Sequence, residues 1–175
     1  MSAAPVLRPA GPDDAAVIAA VYCRSWEETY RGLLPDAMID SLSTAESAAT
    51  WARRLGPGDD SHVVIAEVDG TAVGFASGCA AHDTAVGTDG MLDTLYLLRR
   101  AHGLGLGRRL TAAVADELTA RGFAAMGVIV LATNPALRFY EAMGARRVGA
   151  RHRIFRDHPV DEILLAWDLP LSSGT

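Results

Sequence analysis

The sequence contains no lysine, only two cysteines and no long apolar run. All sixteen basic residues are arginines. Cys23 and Cys79 are not spaced as a CxxC pair, so we expect buried thiols in a reducing compartment, the cytoplasm. Every apolar stretch is shorter than the ~18 residues of a membrane helix, and the first ten residues lack the pattern of a signal peptide. These features exclude a disulfide framework and a membrane span.

The composition is typical of one globular domain. The chain has 175 residues, half of them apolar, which is enough for a sizeable core. We predict a single domain over residues 1–170 and a disordered tail over 171–175. The formal net charge of −5 argues against nucleic acid as a partner and is compatible with a cationic amine.

Strand and helix patterns alternate along the chain. Apolar runs and turn signals predict strands at 6–8, 62–68, 71–79, 91–98, 126–133, 145–155 and 160–169. Helical periodicity and capping residues predict helices ending near 30 and 55, helices at 107–121 and 136–143, and a short helical piece at 36–42. The segment 80–90 is expected to be a loop. The fold class is therefore α/β (α+β), with a mixed sheet of about seven strands and about four helices.

The most informative stretch, residues 93–110, reads DTLYLLRRAHGLGLGRRL. It predicts a strand, a loop with glycine at 103, 105 and 107, and the start of a helix. Such a junction directs several backbone N–H groups and the positive end of a helix dipole at one spot, which suits a phosphate. Arg108 and Arg109 follow the last glycine, so neither a Walker loop nor a dinucleotide fingerprint is present.

Three stretches resemble the GNAT acyl-CoA N-acyltransferase superfamily. The glycine spacing after L-Y-L is similar to the family's pyrophosphate loop, with His102 where Gln or Arg is usual. The stretch NPALRFYEAMG, from Asn134 to Gly144, resembles the helix N-x-x-A-x-x-F-Y-E-x-x-G, although six residues rather than seven separate Asn134 from Tyr140. SWEETYRGLLPD, from Ser25 to Asp36, is similar to the first-helix region of some members. The element order β-α-α-β-β-β-α-β-α-β-β extends the resemblance to nearly the whole chain.

The resemblance implies acetyl-CoA as co-substrate and no metal. The pantetheine arm would pair with the backbone of Leu95 and Leu97 on the fourth strand, and the backbone N–H groups from His102 to Arg108 would hold the pyrophosphate. The expected cofactor-binding residues are Leu95, Tyr96, Leu97, His102, Gly103, Leu104, Gly105, Leu106, Gly107, Arg108, Asn134 and Tyr140.

The resemblance also assigns catalytic roles. Tyr140 would return a proton to the CoA thiolate as general acid. Many relatives carry a glutamate on the fourth strand where this chain has Met91, which cannot act as a base. Asp93 lies two residues further on the same strand face, so it is the candidate base or amine anchor, the alternative being a solvated strand-end carboxylate. The reserve candidates are Glu27, Glu28 and His158.

Three functions remain open at this stage. The first is acetylation of a small-molecule amine, the second is acetylation of a protein or peptide N-terminus or lysine, and the third is acyl-CoA binding with little catalysis. A closed pocket walled by Trp26 and Tyr30 would favour a small molecule, and an open groove beside the last hairpin would favour a peptide. Because the chain has no lysine, it cannot acetylate a lysine of its own. Homodimers are common in the family, so a homodimer is one expected state.

Overall fold

The computed structural model describes residues 4–171, which form seven strands and five helices. The strands are β1 (Val6–Pro9), β2 (His62–Val68), β3 (Thr71–Ala80), β4 (Gly90–Leu97), β5 (Ala125–Leu131), β6 (Arg146–Phe155) and β7 (His158–Asp168). The helices are α1 (Ala15–Tyr30), α2 (Asp36–Asp40), α3 (Thr44–Arg54), α4 (Leu106–Ala120) and α5 (Ala136–Ala142). Within these residues no helix is long and apolar enough to cross a membrane.

All seven strands belong to one mixed sheet, in the order β1-β2-β3-β4-β5-β7-β6. The pair β4–β5 is parallel and every other neighbouring pair is antiparallel. Antiparallel neighbours can be joined by short turns, whereas a parallel pair needs a crossover, which α4 supplies. The predicted mixed seven-stranded fold is confirmed.

Each face of the sheet is covered by helices, because side chains alternate between the two faces of a strand. On one face, α4 buries Leu110, Val114 and Leu118 against β2 to β5. On the other face, α1 and α3 contribute Ile18 and Trp51 to a second core. Full burial of each such aliphatic side chain contributes about 1.5–3 kcal/mol, so both layers stabilise the sheet that carries the site.

The observed boundaries differ from the predicted ones in a few places. The last hairpin turns at Arg156 and Asp157, both with positive φ, and not around 157–159, since Pro159 already pairs with Ile154. The segment 80–90 contains a short 3₁₀ turn, Thr84–Val86. Residues 4–171 contain five α-helices, because the short helical piece predicted at 36–42 forms a separate helix, α2. Apart from Leu171, the predicted tail lies outside the described residues.

Strand β4 separates from β5 soon after they meet. Their register contains two pairs, Gly90 with Met126 and Met91 with Gly127. On its other side, β4 pairs Leu92 with Gly78 and Thr94 with Ser77, so Asp93 is the extra residue of a β-bulge. A bulge bends its strand, and this one follows directly after the last β4–β5 pair. The result is a fork between β4 and β5 that widens towards Leu97.

The closed end of the fork is held by Asp89. Its carboxylate oxygens accept hydrogen bonds of 2.8 Å each from the backbone N–H groups of Ala124 and Ala125. These bonds join the start of β4 to the start of β5. They favour the ionised carboxylate, so the pKa of Asp89 is lowered, the bond from Ala124 being the largest cause.

We therefore expect Asp89→Asn to destabilise the fold at neutral pH. The amide keeps one acceptor oxygen and loses the charge, so we expect a loss of about 1 kcal/mol in the free energy of unfolding. Because the pKa of Asp89 is lower in the folded chain than its ordinary value of 3.8, the ionised carboxylate stabilises the fold at pH values above 3.8. This stabilisation is lost as the pH falls through the pKa of the folded chain. In urea titrations the deficit relative to the native chain should shrink from pH 7 to pH 3. Asp13→Asn serves as control. An equal loss in the free energy of unfolding at both pH values would contradict the role of the ionised Asp89 carboxylate in joining β4 to β5.

Candidate active site

The open edge of β4 presents unpaired backbone groups. Leu98 donates its backbone N–H to the Val73 carbonyl oxygen at 2.8 Å. Along an antiparallel strand, successive residues direct their backbone groups to opposite sides, so Tyr96 faces β3 like Leu98. Leu95 and Leu97 therefore face the fork. An extended chain with amide groups could pair there as an added strand.

The fork opens into a cavity of about 860 Å³, here called the main cavity. Its walls come from α1, the open edges of β4 and β5, the loop before α4, α5 and the final hairpin. The sequence-predicted site residues that line it are Trp26, Tyr30, Asp93, Leu95, Tyr96, Leu97, His102, Gly103, Gly105, Leu106, Gly107, Arg108, Asn134 and Tyr140. Leu104 does not line it, and its side chain is 49% exposed.

The loop 102–108 lies at one end of this cavity and leads into α4. Gly103 and Gly105 adopt φ of +78° and +72°, which a residue with a Cβ adopts only with strain. The first hydrogen bond into α4 runs from the Arg109 N–H to the Gly105 carbonyl oxygen. Within residues 4–171 no hydrogen bond of the N–H groups from 103 to 108 is found. These donors and the positive end of α4 are suited to a diphosphate.

Two loop residues have roles that the sequence did not indicate. The ring Nε2 of His102 lies 2.9 Å from the Leu97 carbonyl oxygen, so the side chain is bound to the end of β4. Gly107 allows the Phe139 ring to approach, since a Cβ there would lie 3.3 Å from it. His102 therefore supports the strand end, and Gly107 fits α5 against α4.

Tyr140 lies on α5 with only 5% of its surface exposed. Its ring packs edge-on against Trp167, with centroids 5.9 Å apart. Burial raises the pKa of its hydroxyl well above the ordinary value, so the phenol is neutral at physiological pH. Among the described residues no hydrogen bond of this hydroxyl is found, which leaves it free to donate into the cavity.

Aromatic side chains of α1 and β4 also line the main cavity. Trp26 donates its ring N–H to the Tyr96 hydroxyl at 3.1 Å, and its ring lies 4.5 Å from that of Tyr30. Burial raises the pKa of Tyr30 to about 12. The Asn134 amide lies 3.5 Å from the Tyr30 hydroxyl, while its carbonyl oxygen accepts from the Ala136 N–H and caps α5. Asn134 thus fixes α5, and with it Tyr140, relative to α1.

Asp93, the bulge residue, is held on both carboxylate oxygens. Oδ2 accepts from Arg54 at 2.7 Å, and Oδ1 lies 2.8 Å from the His82 ring. Its side chain is 18% exposed, whereas that of His82 is 59% exposed. Each carboxylate oxygen has two lone-pair sites, so Asp93 can still accept from another donor. Nearby Cys79 is buried, which raises the pKa of its thiol to about 11 and keeps it protonated.

The reserve candidates have other contacts. Glu28 lines the main cavity, but its carboxylate accepts from the Arg99 backbone N–H at 2.8 Å and ties α1 to the segment after β4. Glu27 is half exposed and paired with Arg24 on the surface. His158 begins β7 and lines neither this cavity nor the second cavity described next.

A second cavity of about 380 Å³ lies on the α1–α3 face of the sheet. It shares Asp93, Thr94 and Tyr96 with the main cavity, so the two meet at β4. The residues that line it are Tyr22, Ser41, Leu42, Ser43, Glu46, Ser47, Thr50, Trp51, Arg54, Asp93, Thr94, Tyr96 and Arg156.

Several site residues were missed in the sequence. His82, Arg54 and Arg156 reach the site from elements distant in the chain, and no local motif marks them. Glu162 lines the main cavity and is 8% exposed, where Arg151 pairs with it at 2.7 Å. The acidic pair Asp161–Glu162 directly before the apolar run of β7 is the one signal that could have indicated it.

Comparison with known proteins gives a consistent result. The sequence profile of the Acetyltransferase (GNAT) family matches residues 19–145. The N-acetyltransferase YuaI of Bacillus subtilis (strain 168), itself uncharacterised, is 33% identical over 162 residues, covering 92% of this chain and 91% of YuaI. A GCN5-related N-acetyltransferase from Rhodopseudomonas palustris has a TM-score of 0.76 at 25% identity, with 97% and 98% of the two chains covered.

Two further structures contain the nucleotide. PaiA N-acetyltransferase from Thermoplasma acidophilum, in complex with coenzyme A, has a TM-score of 0.69 at 16% identity, with 95% of this chain and 99% of that chain covered. YncA from Salmonella typhimurium, with its cofactor acetyl-CoA, has a TM-score of 0.69 at 20% identity, with 98% of each chain covered.

The chain belongs to the GNAT acetyltransferase family. The predicted class, an acetyl-CoA-dependent acyltransferase, is confirmed. The residues present fit acetyl-CoA as co-substrate, because the loop before α4 has unpaired N–H groups suited to a diphosphate and the open edge of β4 is suited to the amides of a pantetheine arm.

The loop geometry leads to a test with a matched pair of variants. Gly105 and Gly58 both have positive φ, +72° and +96°, and a Cβ at either would have no atom within 4 Å. Glutamate at either position should introduce a similar backbone strain of about 1–2 kcal/mol. Only Gly105→Glu places a carboxylate at the anion site, so we expect calorimetry to show acetyl-CoA affinity at least about ten-fold weaker than in Gly58→Glu, equal to about 1.4 kcal/mol. Equal affinities would contradict this position for the diphosphate.

Proposed function

We propose that this chain transfers the acetyl group of acetyl-CoA to the primary amine of a small molecule, by direct attack in a ternary complex. One observation carries the proposal. The main cavity brings together the unpaired N–H groups of the loop 102–108, the open edge of β4 and the Tyr140 side chain. These are a diphosphate site, a site for an extended amide-containing arm and a proton donor, in one continuous space.

Leu95 would stabilise the charge that develops on the thioester. Its backbone N–H faces the fork, where it can donate to the carbonyl oxygen of the acetyl group. Leu97 lies nearer to the loop 102–108, where the diphosphate would bind, so the thioester at the far end of the pantetheine arm would reach Leu95, and we assign the oxyanion contact to the Leu95 N–H. A preorganised donor of this kind contributes about 2.7–4 kcal/mol to catalysis in well-studied acyl-transfer enzymes.

Asp93 and His82 would remove the proton of the incoming ammonium group. An alkylamine titrates near pH ~10, so it must lose a proton before it can attack. Asp93 lines both cavities and can accept that proton, because each carboxylate oxygen retains a lone pair. His82 lies 2.8 Å from Asp93 and reaches solvent, so it can take the proton from Asp93 and release it to water.

Tyr140 would assist departure of the thiolate. Its raised pKa keeps the hydroxyl protonated and able to donate to the sulfur as the carbon–sulfur bond breaks. The attacking nitrogen becomes bonded to the acetyl carbon, the electron pair of the broken carbon–sulfur bond goes to sulfur, and sulfur takes the proton of Tyr140. The nitrogen then releases its second proton to solvent, and Tyr140 takes one back from solvent, so the net products are the amide, the CoA thiol and one proton.

The acceptor site favours a small molecule over a peptide. Trp26, Tyr30 and Phe155 narrow the main cavity beside β4, and the second cavity is only about 380 Å³. The alternative acceptor, a peptide N-terminus or lysine, needs an open groove along β4. A thiol-release assay with acetyl-CoA and a panel of amines and peptides distinguishes the two. Turnover with peptides alone would overturn the small-molecule proposal, and thiol release no faster than hydrolysis with every compound would overturn the transfer itself.

Tyr140→Phe tests the proton donor. The missing hydroxyl has no hydrogen bond among the described residues, so we expect an unchanged melting temperature and unchanged acetyl-CoA affinity. The kcat of thiol release should fall about 10²-fold or more, the range of general acid catalysis. A fall in acetyl-CoA affinity with unchanged kcat would instead make Tyr140 a packing residue.

His82→Gln tests the proton path, and the chain offers a matched control. His152 is an exposed histidine that pairs with Asp161 at 2.9 Å, away from both cavities. We expect His82→Gln to lower kcat/KM and to shift its pH profile towards higher pH, because more of the amine must then be deprotonated by solvent. His152→Gln should keep the wild-type profile. Identical profiles for both variants would exclude His82 from the path.

A further inference from the structure

The second cavity is lined by groups that suit a polar occupant. Hydroxyl groups contribute much of its wall, from Ser41, Ser43, Ser47, Thr50 and Thr94. Its inner end is Asp93, Thr94 and Tyr96 on β4, which also line the main cavity. A molecule in the second cavity therefore reaches the strand that would hold the thioester.

Two arginines line this cavity, and they differ in their partners. Arg54 is neutralised by Asp93 at 2.7 Å and lies over the Trp51 ring. Arg156 has no ion pair among the residues that the structure describes. The cavity thus presents one uncompensated guanidinium group, at the turn between β6 and β7.

Aromatic rings hold Arg156 in position. Its guanidinium carbon lies 5.9 Å from the Trp26 ring centroid and 5.7 Å from that of Phe155. A guanidinium over an aromatic face keeps its N–H groups available at the edge. Arg156 is exposed at the hairpin turn, where it and Asp157 both have positive φ, as the two central residues of a two-residue hairpin turn do.

We infer that the acceptor is a primary amine that also carries a carboxylate, as amino acids do, and that Arg156 binds this carboxylate. The inference rests on the proposed transfer to a small-molecule amine. A guanidinium matches the two oxygens of a carboxylate with two parallel N–H donors. Arg54 balances the charge of Asp93 at the inner end, but the Asp93 carboxylate keeps lone pairs that can accept hydrogen bonds from the ammonium group. Glu46 on the wall opposes a carboxylate at the α3 side. The unpaired Arg156 and the acceptor oxygens of Asp93 therefore orient a zwitterion with its amine at β4.

Matched pairs of amines test this inference. L-Phenylalanine differs from 2-phenylethylamine, and L-leucine from 3-methylbutylamine, by the carboxylate alone. Thiol release gives kcat/KM for each compound, and we expect the wild-type enzyme to prefer the amino acid at least about ten-fold, equal to about 1.4 kcal/mol. Taurine and 2-aminoethyl phosphate show whether a sulfonate or phosphate is taken equally well, which would overturn the carboxylate assignment.

Two arginine variants assign the preference to a residue. Arg153 and Arg156 flank the same ring, with Arg153 lying 5.6 Å from the Phe155 centroid, but Arg153 does not line the second cavity. Arg156→Gln should reduce the ratio of kcat/KM between amino acid and matched amine to near one, while Arg153→Gln keeps it. The wild-type enzyme and both variants are assayed with the same pairs of amines, so a difference in basicity between the two amines affects all three ratios equally.

The outcomes separate this inference from the proposed function. Efficient acetylation of the amines without preference for the carboxylate, or a preference that persists in Arg156→Gln, overturns the inference and leaves acetyl transfer intact. Absence of thiol release with every compound overturns the proposed transfer and the inference together. Melting temperatures of both variants show whether they are folded.

Discussion

The separation of β4 from β5 is the constraint on which the rest of the structure depends. Backbone N–H and C=O groups in a sheet interior normally pair with a neighbouring strand. Here pairing stops after Met91, and the bulge at Asp93 turns β4 away. The backbone groups of Leu95 and the N–H of Leu97 are thus left for another partner, while the Leu97 carbonyl oxygen is bonded to the His102 ring. The hydrogen bonds of the Asp89 carboxylate keep the two strands together at the other end, so the opening is a fork within an otherwise continuous sheet.

The bulge also joins the two cavities. In an uninterrupted strand, side chains point alternately to the two faces of the sheet. The extra residue of a bulge breaks this alternation and changes where the side chains around it point. Asp93, Thr94 and Tyr96 consequently line both the main cavity and the smaller second cavity. The same irregularity that frees the strand edge therefore places a carboxylate where the two substrates would meet.

Much of this could be predicted from local patterns. The glycine spacing, the helix that starts at Leu106 and the Tyr140 helix are contiguous in sequence, so periodicity and turn chemistry indicate them. Asp69-Gly70 is likewise a contiguous turn signal, and the predicted bounds of β2, 62–68, agree with the observed ones. Family resemblance then identified the enzyme class. The last turn was misplaced because Arg156 and Asp157 both adopt positive φ, which their residue types do not indicate.

The sequence by itself determined the order of elements, the glycine pattern before α4 and the family, because periodicity, turn residues and motifs are each read from contiguous stretches of chain. Only the tertiary structure decided which groups surround Asp93, that His102 binds the Leu97 carbonyl oxygen and that Arg156 has no ion pair among the described residues. Arg54 and Asp93, for example, are 39 positions apart. Contacts across that distance arise from how helices cover the sheet, and no local sequence pattern indicates them.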